Sequence, residues 1–303
     1  MKKIMFAMLR TLGDVVLGTT IVHELKKEYP NSEIHFYTNK PYANLIQNNP
    51  DVFEIHAPDD WNPNSIFLEM AAKDYDIVFA PYQVRQECNI WHQNEETRHQ
   101  HLVDFYWKRM GMHRPIIDRE CYLYPTDEDK AKALDHISMD VPRIAIHSTT
   151  GVPTKDWPYF NALTEELRKA GYAVVQVGAS TDKTITKAVD LRGKMGLLEL
   201  AAFLKNCAAF VGLDSGVSYM ADAMKTPSII IQGSTDPLTS GPISNRVIHL
   251  FAKETGYQDC QQVRCHMDCR HERNCINEIT VENVLDKLEP VLSSWRKPIP
   301  AGV

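Results

Sequence analysis

The stretch FVGLDSGVSYMADAMKTPSIIIQG, Phe210–Gly233, decides the fold. An apolar run of strand length stops at Asp214-Ser215-Gly216. Small and apolar residues follow, and Pro227 opens a second apolar run. A short apolar run bounded by turn residues reads as a strand buried on both faces. Two such runs joined through a helix form the β-α-β unit of a parallel sheet. The charge, hydroxyl and glycine then stand at a strand's carboxyl end, where open α/β sheets bind ligands.

The same rhythm extends in both directions. Upstream come RIAIHST (143–149), PYFNALTEELRKAGY (158–172), AVVQVGA (173–179), LLELAAFLKNC (197–207) and AAFVGLD (208–214). These read as strand, helix, strand, helix, strand. Downstream, VIHLFA (247–252) reads as a strand and VENVLDKLEPVLSSW (281–295) as a final helix. The front of the chain repeats the pattern. Its strands are KKIMFAMLR, EIHFYTNK, VFEIHA and YDIVFAPY; its helices are the run after Thr11, PYANLIQNN, SIFLEMAAK and HLVDFYWKRMGM. A polar, proline-containing zone with one short helix, DEDKAKALDHI, separates the two series. The expectation is an α/β protein of two doubly wound, Rossmann-like domains, 1–141 and 142–303, facing across a cleft.

At 303 residues and 44% hydrophobic, the chain has material for two cores. Its net charge of -6 lacks the basic balance of a nucleic-acid binder. No apolar run reaches the ~18 residues of a membrane span. Arg10 and Asp14 interrupt the apolar start, so it reads as a first strand rather than a secretion signal. The expected location is the cytoplasm.

Three strand exits in the rear half carry polar and small residues. After RIAI come Thr149, Thr150 and Lys155, two hydroxyls and a cation suited to a diphosphate. After AAFVGL come Asp214, Ser215 and Gly216. A helix N-terminus there favours anions, the glycine allows close approach, and the carboxylate accepts from hydroxyls. Gly233, Ser234 and Thr235 form the third exit. The plainer readings are a helix cap at Asp214 or Ser215 and a solvated Lys155. In the front half, Asp14 follows Gly13 at the mouth of the first helix. It can cap that helix or take a proton from a positioned hydroxyl. The dinucleotide fingerprint GxGxxG, the P-loop and the GxSxG elbow are absent from the sequence.

These residues together resemble glycosyltransferase family 9, the ADP-heptose heptosyltransferases and their relatives. The resemblance rests on IMFAMLRTLGDVVLGTTIVHELKKEYPNSEIHFYT, on HSTTGVPTKDWPYFNALTEEL, and on LRGKMGLLELAAFLKNCAAFVGLDSGVSYMADAMKTPSIIIQGSTDP. It implies a GT-B fold and an inverting, metal-independent sugar transfer from a nucleoside-diphosphate donor, ADP-heptose. It implies that Asp14 is the general base and that Lys155, Thr149 and Thr150 hold the diphosphate. By the same resemblance Thr11, Gly13, Asp214, Ser215, Gly216 and Val217 meet the donor, and Asp182 contacts the ribose. The implied acceptor is a glycan, a lipopolysaccharide core or a protein. Tyr219 stands where family members often carry His, so donor contacts there are expected to differ.

Four of seven cysteines, Cys260, Cys265, Cys269 and Cys275, crowd into one short segment. Four thiolates this close suit a structural zinc or iron ion, with His266 and His271 as substitute ligands. Free thiols or disulfides are the alternative. Cysteine-containing loops of this kind recur in the family, and relatives that glycosylate autotransporter proteins hold iron in one. RQECNIWHQNEETRHQHLVDFYWKRM (85–110) reads as an acceptor-side surface or as an amphipathic helix with solvated histidines. Two other functions share the fold: a nucleotide-sugar epimerase or hydrolase that needs no acceptor, and a non-catalytic metal-stabilised binding protein.

Overall fold

The computed structural model describes residues 1–57, 73–81, 100–136, 141–251 and 274–293. Two all-parallel sheets organise them. The first has four strands in the order β3-β2-β1-β4: β1 Lys2–Met8, β2 Ser32–Thr38, β3 Glu54–His56 and β4 Ile77–Phe79. The second has six in the order β10-β9-β8-β5-β6-β7: β5 Arg143–His147, β6 Ala173–Gln176, β7 Val189–Asp190, β8 Ala209–Leu213, β9 Ser228–Gln232 and β10 Val247–Phe251. Renumbered from β5, the second order is the 3-2-1-4-5-6 arrangement of a Rossmann sheet, and the first sheet is its opening 3-2-1-4. Each sheet therefore has a point where the winding reverses, between β1 and β4 and between β5 and β8.

The strands form because their residues are apolar on both faces. β1, β8 and β9 are buried nearly throughout. In β1, Ile4, Phe6 and Met8 face the main core, while Met5 and Ala7, with Leu9 just past the strand, form a smaller cluster with Tyr37 on the other side. Helix α1, Leu12–Glu28, starts with Thr11 as its cap residue and carries Lys26 and Lys27 in its last turn, a polarity that matches the helix dipole. Among the described residues the other α-helices are α2 Leu102–Arg109, α3 Asp127–Asp135, α4 Phe160–Lys169, α5 Leu197–Lys205, α6 Gly216–Ala223, α7 Asn274–Asn277 and α8 Val281–Ser293. The SIFLEMAAK helix and most of 85–110 lie outside the described residues.

One local expectation is refined. The segment PYANLIQNN is a 3-10 helix over Lys40–Ile46, with Pro41 in its first turn and i→i+3 bonds such as Tyr42 N to Asn39 O at 2.9 Å. The two-residue strand β7 carries too few residues to show any periodicity in the sequence.

The two halves share one core. Val15, Leu17 and Val22 of α1 join Val217, Tyr219 and Met220 of α6 in a single apolar cluster. Thr20 donates to the Glu120 carbonyl at 2.7 Å. Arg246 pairs with Glu120 at 2.8 Å, and His101 meets the Gly241 carbonyl at 2.9 Å. The starts of α1 and α6, one from each half, are thereby pressed together.

Candidate active site

The contact between those two helix starts is made of glycine. A side chain at Gly216 would place its Cβ 2.6 Å from the Cβ of Leu12, and one at Gly13 would lie 3.2 Å from the Tyr219 ring and 3.5 Å from the Gly216 Cα. Sequence reasoning gives Gly216 to a ligand; the structure shows its open side occupied by Leu12.

Asp14 lies on the first-half side of this contact and is only 8% exposed. Its Oδ2 accepts from the Thr11 N–H at 3.2 Å and the Thr11 hydroxyl at 2.8 Å. The Arg10 guanidinium stands 3.7 Å away. Its Oδ1 accepts from the Tyr106 hydroxyl at 2.5 Å. The capping interaction is thus real, and the carboxylate is also held from the far side by a fully buried tyrosine on α2.

On the rear side, Lys155 ends a 3-10 turn, Pro153–Lys155, after β5. Its ammonium is 2.8 Å from Asp214 Oδ2 and 3.3 Å from the Asp214 carbonyl. The Ser240 hydroxyl donates to the same carboxylate at 3.2 Å. Burial alone would raise the Asp214 carboxyl, but Lys155 and the hydroxyls of Thr235 and Ser240 hold it below the ordinary carboxylate value. Asp214 stays ionised, and Lys155 is fixed beside it.

A second chain of contacts crosses the reversal point of the rear sheet. The Ser215 hydroxyl is 3.0 Å from His147 Nδ1, and His147 Nε2 is 3.3 Å from Asp182 Oδ2. Asp182 also accepts from the Ala179 N–H at 2.9 Å. Gly178, at φ +132°, lets this turn fold back: a Cβ there would lie 2.7 Å from the His147 ring. Thr149 accepts from the Lys183 N–H at 3.1 Å, and Thr150 closes a local turn with Val152. Val217 is buried in the shared core, so its side chain is committed to packing.

Tyr219 joins the two sides. Its hydroxyl accepts from the Gly241 N–H at 2.7 Å. Burial, then Asp214, and more weakly Asp14, push the phenol well above its ordinary value. Both carboxylates therefore bear on one buried ring. Leu12 and Gly13 meet Gly216 directly, and the residues just before Gly216 lead on, Ser215 to His147 and Asp182 and Asp214 to Lys155. Sequence reasoning missed three of these partners. His147 carried a usable signal, as the last residue of an apolar strand. Tyr106 and Ser240 carried none, because their roles exist only through distant contacts. Cys275 is buried against the second-half core; Cys260, Cys265 and Cys269 lie outside the described residues.

Comparison with known proteins bears on the fold and the family. Residues 110–271 match the family model described as glycosyltransferase family 9 (heptosyltransferase). Lipopolysaccharide heptosyltransferase 3 of Escherichia coli K12 is 23% identical, with 94% of this chain and 96% of that protein covered. The solved ADP-heptose lps heptosyltransferase II of E. coli superposes with a TM-score of 0.72 at 18% identity, covering 97% of this chain and 99% of that one. The iron-containing dodecameric glycosyltransferase TibC of enterotoxigenic E. coli superposes at 0.71 and 16% identity, covering 100% and 80%. With two parallel Rossmann-like sheets in a GT-B arrangement and the family model matched over more than half its length, the chain belongs to glycosyltransferase family 9 and is a glycosyltransferase.

Proposed function

We propose that the protein transfers heptose from ADP-heptose to an acceptor hydroxyl, with inversion at the sugar carbon and no metal in the reaction. The observation that carries this reading is the meeting of the two helix starts: Gly13, beside Asp14, lies against Gly216 and Tyr219 of α6, and Asp214, two residues before Gly216, is paired with Lys155. The relatives support the donor: one is named a lipopolysaccharide heptosyltransferase and another an ADP-heptose heptosyltransferase.

In this reading Asp14 takes the proton of the acceptor hydroxyl while that oxygen bonds to the sugar's anomeric carbon. The bond from that carbon to the diphosphate oxygen breaks, and its electron pair leaves with ADP. Attack opposite the leaving group inverts the centre. Charge building on the departing diphosphate is met by Lys155, by the N–H groups opening α6, and by the hydroxyls of Thr149, Thr150 and Ser215. Asp182 holds the ribose, and Thr11 and Gly13 shape the floor beside Asp14. Tyr106 and Thr11 keep the Asp14 carboxylate in place, and the incoming hydroxyl competes with Tyr106 for Oδ1.

The acceptor is assigned to the first domain, 1–141, and the donor to 142–303; β5 starting at Arg143 supports that division. We assign the acceptor to the lipopolysaccharide core and the enzyme to the cytoplasm. No described helix is long and apolar enough to cross a membrane. Cys260, Cys265, Cys269 and Cys275 are assigned to a structural zinc or iron ion apart from the chemistry; the iron-containing TibC supports this.

The test is a panel of ADP-, UDP-, GDP- and dTDP-sugars, scored by thermal shift and slow donor hydrolysis, with Asp14→Asn alongside. ADP-heptose is expected to stabilise the protein most. Asp14→Asn is expected to abolish transfer while ADP binding persists. Turnover that survives in Asp14→Asn removes the base from its role.

A further inference from the structure

The face of the first sheet turned away from α1 carries a second cluster of chemistry. Parallel register sets His35 opposite Glu54 and Tyr37 opposite His56. Alternation then sends His35, Tyr37, Glu54 and His56 to one face and Ile34 and Phe36 to the core. On that face His35 Nδ1 is 2.9 Å from His56 Nε2 and 3.4 Å from Glu54 Oε2, and His56 Nε2 is 3.7 Å from the same carboxylate oxygen.

We propose that His35, Glu54 and His56 form a binding site for a zinc-class divalent cation, clamping the edge strand β3 to β2. The three donor atoms make a triangle whose sides average close to the ligand–ligand edge of a tetrahedral zinc site. A point about 2 Å from all three, the length of a zinc–nitrogen or zinc–oxygen bond, lies just off their plane. Two imidazoles and one carboxylate are a ligand set suited to zinc, whereas calcium and magnesium take oxygen shells.

The rings are already held. His56 stacks on Tyr37 at 4.4 Å and 12°, and His35 lies between Phe53 and Tyr75 at 5.3 and 5.1 Å. Among the described residues His35 Nε2 is buried without a hydrogen-bond partner, and Nδ1 is the nitrogen engaged in the cluster. Access comes from the other two ligands: the Glu54 side chain is 55% exposed and His56 27%. A water completes the fourth position from that side. The opposing charge is Lys3, whose ammonium lies over the Tyr75 ring at 4.8 Å. The carboxylates of Glu54, Glu33 and Asp74 offset it.

The test is cobalt(II) and zinc(II) titration of the full chain after chelator treatment, comparing the wild type with His56→Gln and Glu54→Gln. Both substitutions are at exposed or half-exposed positions, so the variants are expected to fold. Cobalt bound by nitrogen and oxygen absorbs in the visible without the near-ultraviolet thiolate band that the cysteines would give, so the two sites are read separately. Expected is one equivalent of nitrogen/oxygen-type cobalt in the wild type, absent in His56→Gln and at least about tenfold weaker in Glu54→Gln. A zinc-dependent rise in melting temperature should be lost with it. Equal cobalt stoichiometry and spectra in all three proteins, or no nitrogen/oxygen-type signal in the wild type, overturns the site.

Discussion

Tyr106 donates its hydroxyl to Asp14 Oδ1 at 2.5 Å, from a helix 92 residues further along the chain. The tyrosine is fully buried, and the carboxylate it holds opens the first helix of the sheet-reversal point. Tyr106→Phe keeps the ring and removes only the hydroxyl. The stability cost is expected to be about 1.5–3 kcal/mol, the worth of a hydrogen bond to a charged group. Transfer should slow by roughly tenfold or more in kcat, because the carboxylate loses one of its anchors. ADP affinity should not change. A variant that loses affinity in step with kcat would show Tyr106 acting on the donor side instead.

Lys155 and Asp214 make the opposite case, an ion pair whose members are 15% and 7% exposed. Removing one partner strands the other. Lys155→Met is expected to destabilise by about 3–5 kcal/mol and to lose ADP affinity. The double variant Lys155→Met/Asp214→Leu should recover much of the stability without recovering ADP binding. Chemical denaturation with parallel calorimetry of ADP binding separates the two effects. Recovery of binding in the double variant would show that Lys155 does not meet the diphosphate.

These pairs mark the limit of what the sequence alone discloses. A strand buried on both faces is a continuous apolar run, so AAFVGL and PSIIIQ announced themselves, and their polar exits Asp214-Ser215-Gly216 and Gly233-Ser234-Thr235 followed. Asp14 was legible for the same reason, standing one step past a glycine at a strand-to-helix turn. Partnership was not. Lys155 and Asp214 are 59 residues apart, and nothing in either segment names the other. Tyr106 looked like one more aromatic on an amphipathic helix. The role of Gly216 was hidden because packing against Leu12 and approach by a ligand leave the same mark, a missing Cβ.

His101 ties the halves and sets a pH limit. Its Nδ1 accepts from the Val103 N–H at 3.2 Å, which leaves Nε2–H to donate to the Gly241 carbonyl. Burial holds this imidazole down to about 4, against an ordinary 6.5, with the Gly241 contact offsetting part of the effect. Between those values the unfolded chain binds the proton and the folded chain does not. Stability is therefore complete above about 6.5 and falls as pH drops toward 4, by up to about 3 kcal/mol from this group. Melting temperatures across that window should decline more steeply in the wild type than in His101→Gln. Equal slopes would relieve His101 of the role.

The contact between the two helix starts can be tested from either side. At Gly216 a Cβ would meet the Leu12 Cβ and Cγ at 2.6 Å and Cδ2 at 2.8 Å. The first of these is rigidly attached to the backbone of α1, so no rotamer change clears it. Gly216→Ala is expected to cost about 1–3 kcal/mol as an overpacked core contact, more than the small gain alanine brings to a helix. Leu12→Ala in the same chain should restore only part of that loss, since its own Cβ remains in the way, whereas Leu12→Gly should relieve the clash. Denaturation midpoints of the single and double variants decide it. Full rescue by Leu12→Ala would mean that the clash lies with the leucine's outer carbons and that the two backbones do not set the approach of the halves.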